Sequence, residues 1–346
     1  MHRLFAGSLI LLTLTACTGT SEPQVPFKVV VQEQSAATEV NLKIWQIGDE
    51  MTALTSIPRS GVATGMQNTD IGSYIFAGYE DRIEVYVADG KEPSGIRAIR
   101  SLSTGTDGVF KMANCSNPVK LQKPVLSSND GFLLVLGQCG DSDVNQYLWG
   151  INLNSATPEN WTTIQLVNNL VTPIKFFTAS GSQAFFATKN NIGDFTLNAV
   201  SLFNPTKPES SNKTFPSNLN GLEYWQNSLR YSDGSKIGTV KTLSTLELSD
   251  LVAYPVSALF RKQNQLLAFS SSRGTACLLD ANPNCDDGSD VIRSVSDVRD
   301  VTFDLDGYFW MVAGSALYRV DAVAPNKQPE FQASVTNPRG VAWVVN

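Results

Sequence analysis

Between residues 280 and 290 the chain places oxygen-bearing side chains at nearly every second position: Asp280, Asn282, Asn284, Asp286 and Asp290. A hard cation such as calcium needs several such oxygens converging on it, so this segment is the candidate metal site and calcium the candidate ion. The spacing departs from a calcium loop in two places. Cys285 stands where the sharp turn takes glycine, and Val291 where a bidentate glutamate closes the shell. A polar turn closed by a disulfide is the competing reading, and it requires no cofactor. Asp141, Asp143 and Asn145 form a shorter version of the same pattern.

Other chemistries are restricted by composition. The single histidine is His2, in a segment expected to be removed. A mature chain without histidine cannot run Ser-His-Asp or Cys-His catalysis, nor ligate zinc or haem through imidazole. Nucleophile motifs, phosphate loops and dinucleotide fingerprints are absent from the sequence. No catalytic residue is assigned. The 26 basic residues form no long run and are outnumbered by 32 acidic ones, which argues against a nucleic-acid partner. Hydrophobic residues make up 42% of the chain, enough for a large ordered core.

Residues 1–17 read MHRLFAGSLILLTLTAC. A short basic start and an apolar run too short to span a bilayer form a secretory signal layout. Its end, Leu14-Thr15-Ala16-Cys17, resembles the bacterial lipoprotein lipobox. The resemblance implies a signal peptide over residues 1–16, lipid attachment at Cys17 and a place in the cell envelope. Thr18, rather than Asp, follows the cysteine, which by the enteric sorting rule implies the outer membrane. Residues 17–26, small, polar and proline-containing, read as a tether, and residues 27–346 as the folded body.

Four cysteines remain beyond the lipobox. An even number after an export signal points to disulfides, for which three pairings exist. Chain order favours Cys115–Cys139 and Cys277–Cys285, which close short loops.

The elements that position these residues are strands. After residue 26, short apolar runs alternate with Gly, Asn, Asp, Ser and Pro, an all-β pattern. The runs recur. Starts near Pro58, Pro118, Pro173, Leu219, Pro255, Val298 and Pro338 are spaced by about 47 residues on average, with about three further strands per unit. This predicts a seven-bladed β-propeller. The last repeat has only its first strand, so runs near residues 27–31, 42–47 and 52–57 are expected to complete it, leaving no raw sheet edge. Asp-Gly pairs at 130–131, 233–234, 287–288 and 306–307 read as turns. Most of the six tryptophans fall inside strand runs and should fill space between blades. Trp161, in a polar stretch, is the one expected to be exposed.

The segment VRDVTFDLDGYFWMVAGSALYRVD, residues 298–321, resembles blades of NHL-type and gluconolactonase-like propellers. The resemblance covers one blade well and implies fold more than activity.

If the first strand of each blade lines the channel, the residue after each start sits at one rim. Arg59, Arg299 and Arg339 then belong to consecutive blades and face one sector of the mouth, a candidate site for an anionic ligand or an acidic loop of an envelope partner. Local pairing of Arg299 with Asp297 or Asp300 is the competing reading. The function expected is a non-catalytic binding or scaffold propeller with a monomeric body, held to a membrane by its lipid. The alternative is a calcium-dependent, gluconolactonase-like hydrolase or a glycan-binding lectin.

Overall fold

The computed structural model describes residues 25–345 apart from positions 106, 114, 142–143, 216–217, 263–264, 281–283, 287, 289 and 325–326. The signal peptide, Cys17, Asp143 and Asn282 lie outside the described residues.

Seven antiparallel sheets form a β-propeller. Blade 1 spans residues 63–103, blade 2 119–170, blade 3 174–210, blade 4 221–252, blade 5 258–293 and blade 6 298–334. Blade 7 joins the two ends of the chain. Its innermost strand, Pro338–Val345, pairs with Phe27–Ala36, in register from Phe27 opposite Val345 to Gln32 opposite Gly340. Glu39–Ile47 follows outward, then Met51–Ala53 and Ile57–Ser60 together form the outer edge. The closure expected from the sequence is therefore present.

Packing explains the strand pattern. Second strands such as Phe132–Cys139 and Tyr308–Ala313 are almost wholly buried, because each blade is covered on both faces by its neighbours. Apolar residues gather into seven clusters, one in each wedge between adjacent blades. In the wedge between blades 6 and 7, Phe27 meets Trp310 and Trp343 edge-on, with ring centroids 6.5 and 6.0 Å apart. At its rim Gly72 takes φ +68°, and a Cβ there would lie 2.2 Å from the Trp343 ring. Only glycine lets this turn close over the tryptophan and accept the Val345 N–H.

Two expectations are corrected. Ile57–Ser60 is not the first strand of blade 1. It pairs with residues 39–42 on the outer side of blade 7, and the inner strand of blade 1 is Ala63–Asn68. The alternating exposure of Ile57–Ser60 suits an outer strand, whereas Ala63–Asn68 is buried almost throughout. Trp161 is also buried, at 4% exposure. It packs between Tyr74 and Phe76 in the wedge between blades 1 and 2, and its indole N–H donates to Ser155 O. All six tryptophans are thus core residues.

Both disulfides pair as expected. Cys115–Cys139 and Cys277–Cys285 have Cα separations of 5.6 and 5.4 Å. Cys139 ends the second strand of blade 2 and lies opposite Val119 of the first, so its partner arrives at the same end of the hairpin. Cys277 lies on the third strand of blade 5 and Cys285 on the loop that follows it.

Candidate functional site

The seven inner strands surround the propeller axis and run in one direction. Their starts meet at one rim, where Asn220 donates to Val256 O and Arg299 to Pro338 O. Their ends meet at the other, where Thr302 donates to Asn68 and the Ser128 N–H to Ala179 O. We call these the mouth and the floor.

Below the mouth lie two adjoining cavities of about 330 and 260 Å³. They share Lys123, Val125, Glu223 and Leu259. The deeper one presents Lys123, Arg261, Lys262 and Arg299 against the carboxylates of Glu223 and Asp300. These charges come from blades 2, 4, 5 and 6. Lys123 Nζ lies 2.7 Å from Asp300 Oδ1. The other Asp300 oxygen accepts the Val341 N–H at 3.0 Å. Lys262 Nζ donates to Gln67 Oε1 at 3.0 Å, and Arg261 Nη2 to Leu126 O at 2.5 Å. Glu223 Oε2 accepts from the Thr178 hydroxyl at 3.1 Å and lies 3.7 Å from Arg261 Nε. The buried Nε of Arg261 has no hydrogen-bond acceptor among the described residues.

Electrostatics follow from this crowding. Burial pushes Lys262 down to about 8, Lys123 and Arg261 adding to the effect and Asp300 and Glu223 opposing it. Burial raises the Glu223 carboxyl, against the pull of Arg261. Toward the floor, the Asp130 carboxylate accepts the Asp70 N–H at 2.5 Å. Burial, then the charge of Asp70, pushes Asp130 up to about 6. A recess with more cationic than anionic groups is suited to hold an anion.

The arginines expected at the mouth are not brought together. Arg299 lines the deeper cavity, but Asp297 Oδ2 accepts from its Nε and Nη2 at 3.0 and 2.9 Å, and Asn337 from its Nη1 at 2.8 Å. Arg339 is exposed on the inner strand of blade 7. Arg59 leaves the channel altogether, because its strand is an outer one. Its Nε reaches Glu84 Oε2 at 2.8 Å and the Tyr86 hydroxyl at 3.0 Å, joining blade 7 to blade 1.

In the 280–290 loop two of the described carboxylates meet cations of the chain. Asp286 is 3.3 Å from Arg273, and Asp290 is 4.0 Å from Lys327 while accepting the Asn284 N–H. Asp280 is exposed. Among the described residues no three His, Cys, Asp or Glu side chains are grouped to hold a metal.

Sequence patterning singles out none of the channel charges Lys123, Glu223, Arg261 and Lys262, and names Asp300 only as a neighbour of Arg299. Their signal was there: charged residues inside short apolar runs such as Gly221-Leu-Glu-Tyr-Trp225 and Ala258-Leu-Phe-Arg-Lys262.

No protein family matches the sequence, and no curated protein matches it. Solved structures do share its shape. A candidate 6-phosphogluconolactonase from Bacteroides uniformis is 11% identical, covering 93% of this chain and 100% of its own, with a TM-score of 0.58. The periplasmic gluconolactonase of Pseudomonas aeruginosa is 9% identical over 92% of this chain and 99% of its own, with a TM-score of 0.55. The propeller domain of Cps50 (Swd1) from Myceliophteria thermophila is 13% identical over 83% of this chain and 89% of its own, with a TM-score of 0.51. The chain is a seven-bladed β-propeller. At these identities the likeness concerns the fold and leaves the chemistry to the site.

Proposed function

We propose that this protein is an exported, lipid-anchored binding propeller whose channel recess takes a small anionic molecule. The observation that carries the ligand class is the cavity of about 260 Å³ lined by Lys123, Arg261, Lys262 and Arg299 against only Glu223 and Asp300. An anionic oxygen there would balance the cationic excess and favour the charged form of Lys262, which burial above all, then Lys123 and Arg261, disfavours. Glu223 and Asn220 line the same space and suit hydroxyl groups, so a sugar acid fits the set. Calorimetric titration of the mature protein with gluconate, 6-phosphogluconate and inorganic phosphate tests this. Binding should weaken at least about tenfold in Arg261→Met. No measurable binding of any of the three anions would overturn the reading.

The anchor is supported by the lipobox ending at Cys17 and the tether after it. Cys17→Ser should abolish fatty-acid labelling and membrane fractionation.

A second reading, hydrolysis of a sugar lactone, is supported by Glu223, a carboxyl raised by burial within the recess and suited to general base chemistry. Two of the structural neighbours are described as lactonases of gluconate or its phosphate. Gluconolactone hydrolysis no faster than in buffer would remove this reading and leave the first intact.

A further inference from the structure

The described chain begins at Val25, which is 60% exposed, and enters blade 7 at Phe27. Phe27 lies opposite Val345, the last residue of the inner strand, so the N-terminal segment leaves from the floor. The cavities open under the mouth, at the other end of the channel, and the deeper one runs down to the Lys262–Gln67 contact.

The tether is too short to undo this arrangement. Cys17 and Val25 are eight residues apart. Whatever its conformation, such a segment spans at most about 29 Å. To bring Cys17 level with the mouth, it would first have to clear the two strand layers outside Phe27–Ala36, about 10 Å. It would then have to climb the height of the eight-residue inner strand, about 26 Å. The route through the middle is blocked by the floor contacts of Lys262 with Gln67 and Thr302 with Asn68.

We infer that the propeller stands with its floor toward the bilayer and its channel mouth turned away from it. This rests on the lipid anchor at Cys17. The floor loops expose Asp49, Glu50, Glu92, Glu159 and Asp306 against Lys91 and Lys207, so their charge gives no attraction to anionic headgroups within a Debye length of about 8 Å. Ile71, Phe203, Leu305 and Val323, each more than half exposed there, suit contact with a bilayer. Orientation comes from the tether, and the recess faces the aqueous compartment. Its ligand is therefore water-soluble, and lipid headgroups of the anchoring bilayer are out of reach.

Two positions of equal exposure make the test. Ile192 lies at a hairpin tip on the mouth side and Val323 in a loop on the floor side, each 83% exposed. Ile192→Cys and Val323→Cys are labelled with a donor dye in the acylated protein. Each is reconstituted in phosphatidylethanolamine–phosphatidylglycerol vesicles carrying a headgroup acceptor. Energy transfer from position 323 should exceed that from 192 by at least about twofold, because the labels differ in height by about 26 Å. Val171→Cys on the mouth side and Leu305→Cys on the floor side form a second pair, should a variant of the first misfold. Equal transfer, or more from the mouth, in protein that is acylated and sediments with vesicles overturns the orientation and leaves the anchor standing. Wild-type protein that is neither acylated nor sedimented overturns the anchor, and the orientation with it.

Discussion

Lys123 and Asp300 meet across the channel, Nζ to Oδ1 at 2.7 Å, although 177 residues separate them. The pair ties blade 2 to blade 6 through the middle of the ring. Asp300 is 1% exposed and also accepts the Val341 N–H, so its removal strands an ammonium and an amide together. Asp300→Ala should lower stability by about 2–5 kcal/mol, measured by urea unfolding. Lys123→Met should lose less, since Lys123 remains 31% exposed. A loss under about 1 kcal/mol in Asp300→Ala would show that the ring does not depend on this contact.

Anion binding should follow the charge of Lys262. Its proton is held at pH 7 and released as pH rises through about 8. Affinity for 6-phosphogluconate should fall by about tenfold between pH 7 and pH 9 in the wild type. The drop should be absent in Lys262→Met. Ligand-free stability should move the opposite way: between about 8 and the ordinary value of 10.5 the unfolded chain binds more protons, so this group makes stability rise with pH. A flat binding profile would remove Lys262 from the site.

Asp130 sets a second pH dependence. Its carboxyl is raised from 3.8 to about 6, so over that window the folded state binds more protons than the unfolded one. Stability from this group is full below the lower value and is lost as pH rises through the upper, by at most about 3 kcal/mol. Asp130→Asn should remove that slope and be at least as stable as wild type at neutral pH. Asn tolerates the positive φ of 56° at this turn and keeps an oxygen for the Asp70 N–H. Urea midpoints at pH 4, 5, 6 and 7 decide it; parallel profiles for the two proteins would refute it.

Arg59 should matter for ring closure and not for binding. Burial alone would raise the Glu84 carboxyl, but hydrogen bonds from Tyr86, Arg82 and Arg59 hold it below its ordinary value. Arg59→Ala removes the donor that belongs to the outer strand of blade 7. It should lower stability by about 1–3 kcal/mol and speed amide exchange in residues 57–60, with anion affinity unchanged. A large loss of affinity would return Arg59 to the binding site.

The plan of the ring was legible in the sequence. Strand runs of period two, turn residues between them and a repeat near 47 residues specify blades, because each blade is a local meander built by short connections. The split of blade 7 was legible from an incomplete last repeat, and the disulfides from their place within single hairpins. These features depend on neighbours in the chain. Misreading began where two strands share one local pattern: Ile57–Ser60 carries a proline like the true starts, and only its pairing with residues 39–42 shows it to be an outer strand. Trp161 stands among polar residues and is buried by Tyr74 and Phe76, more than eighty positions earlier in the chain.

The contents of the channel were decided by the tertiary structure alone. Lys262 meets Gln67 over 195 residues and Thr302 meets Asn68 over 234. In the sequence such a residue is one charge inside an apolar run, equally consistent with a solvated strand end. Closing the ring points these side chains at one axis, where opposite charges meet across blades. That convergence, rather than any local motif, brings Arg261, Lys262, Glu223 and Asp300 together as the candidate site.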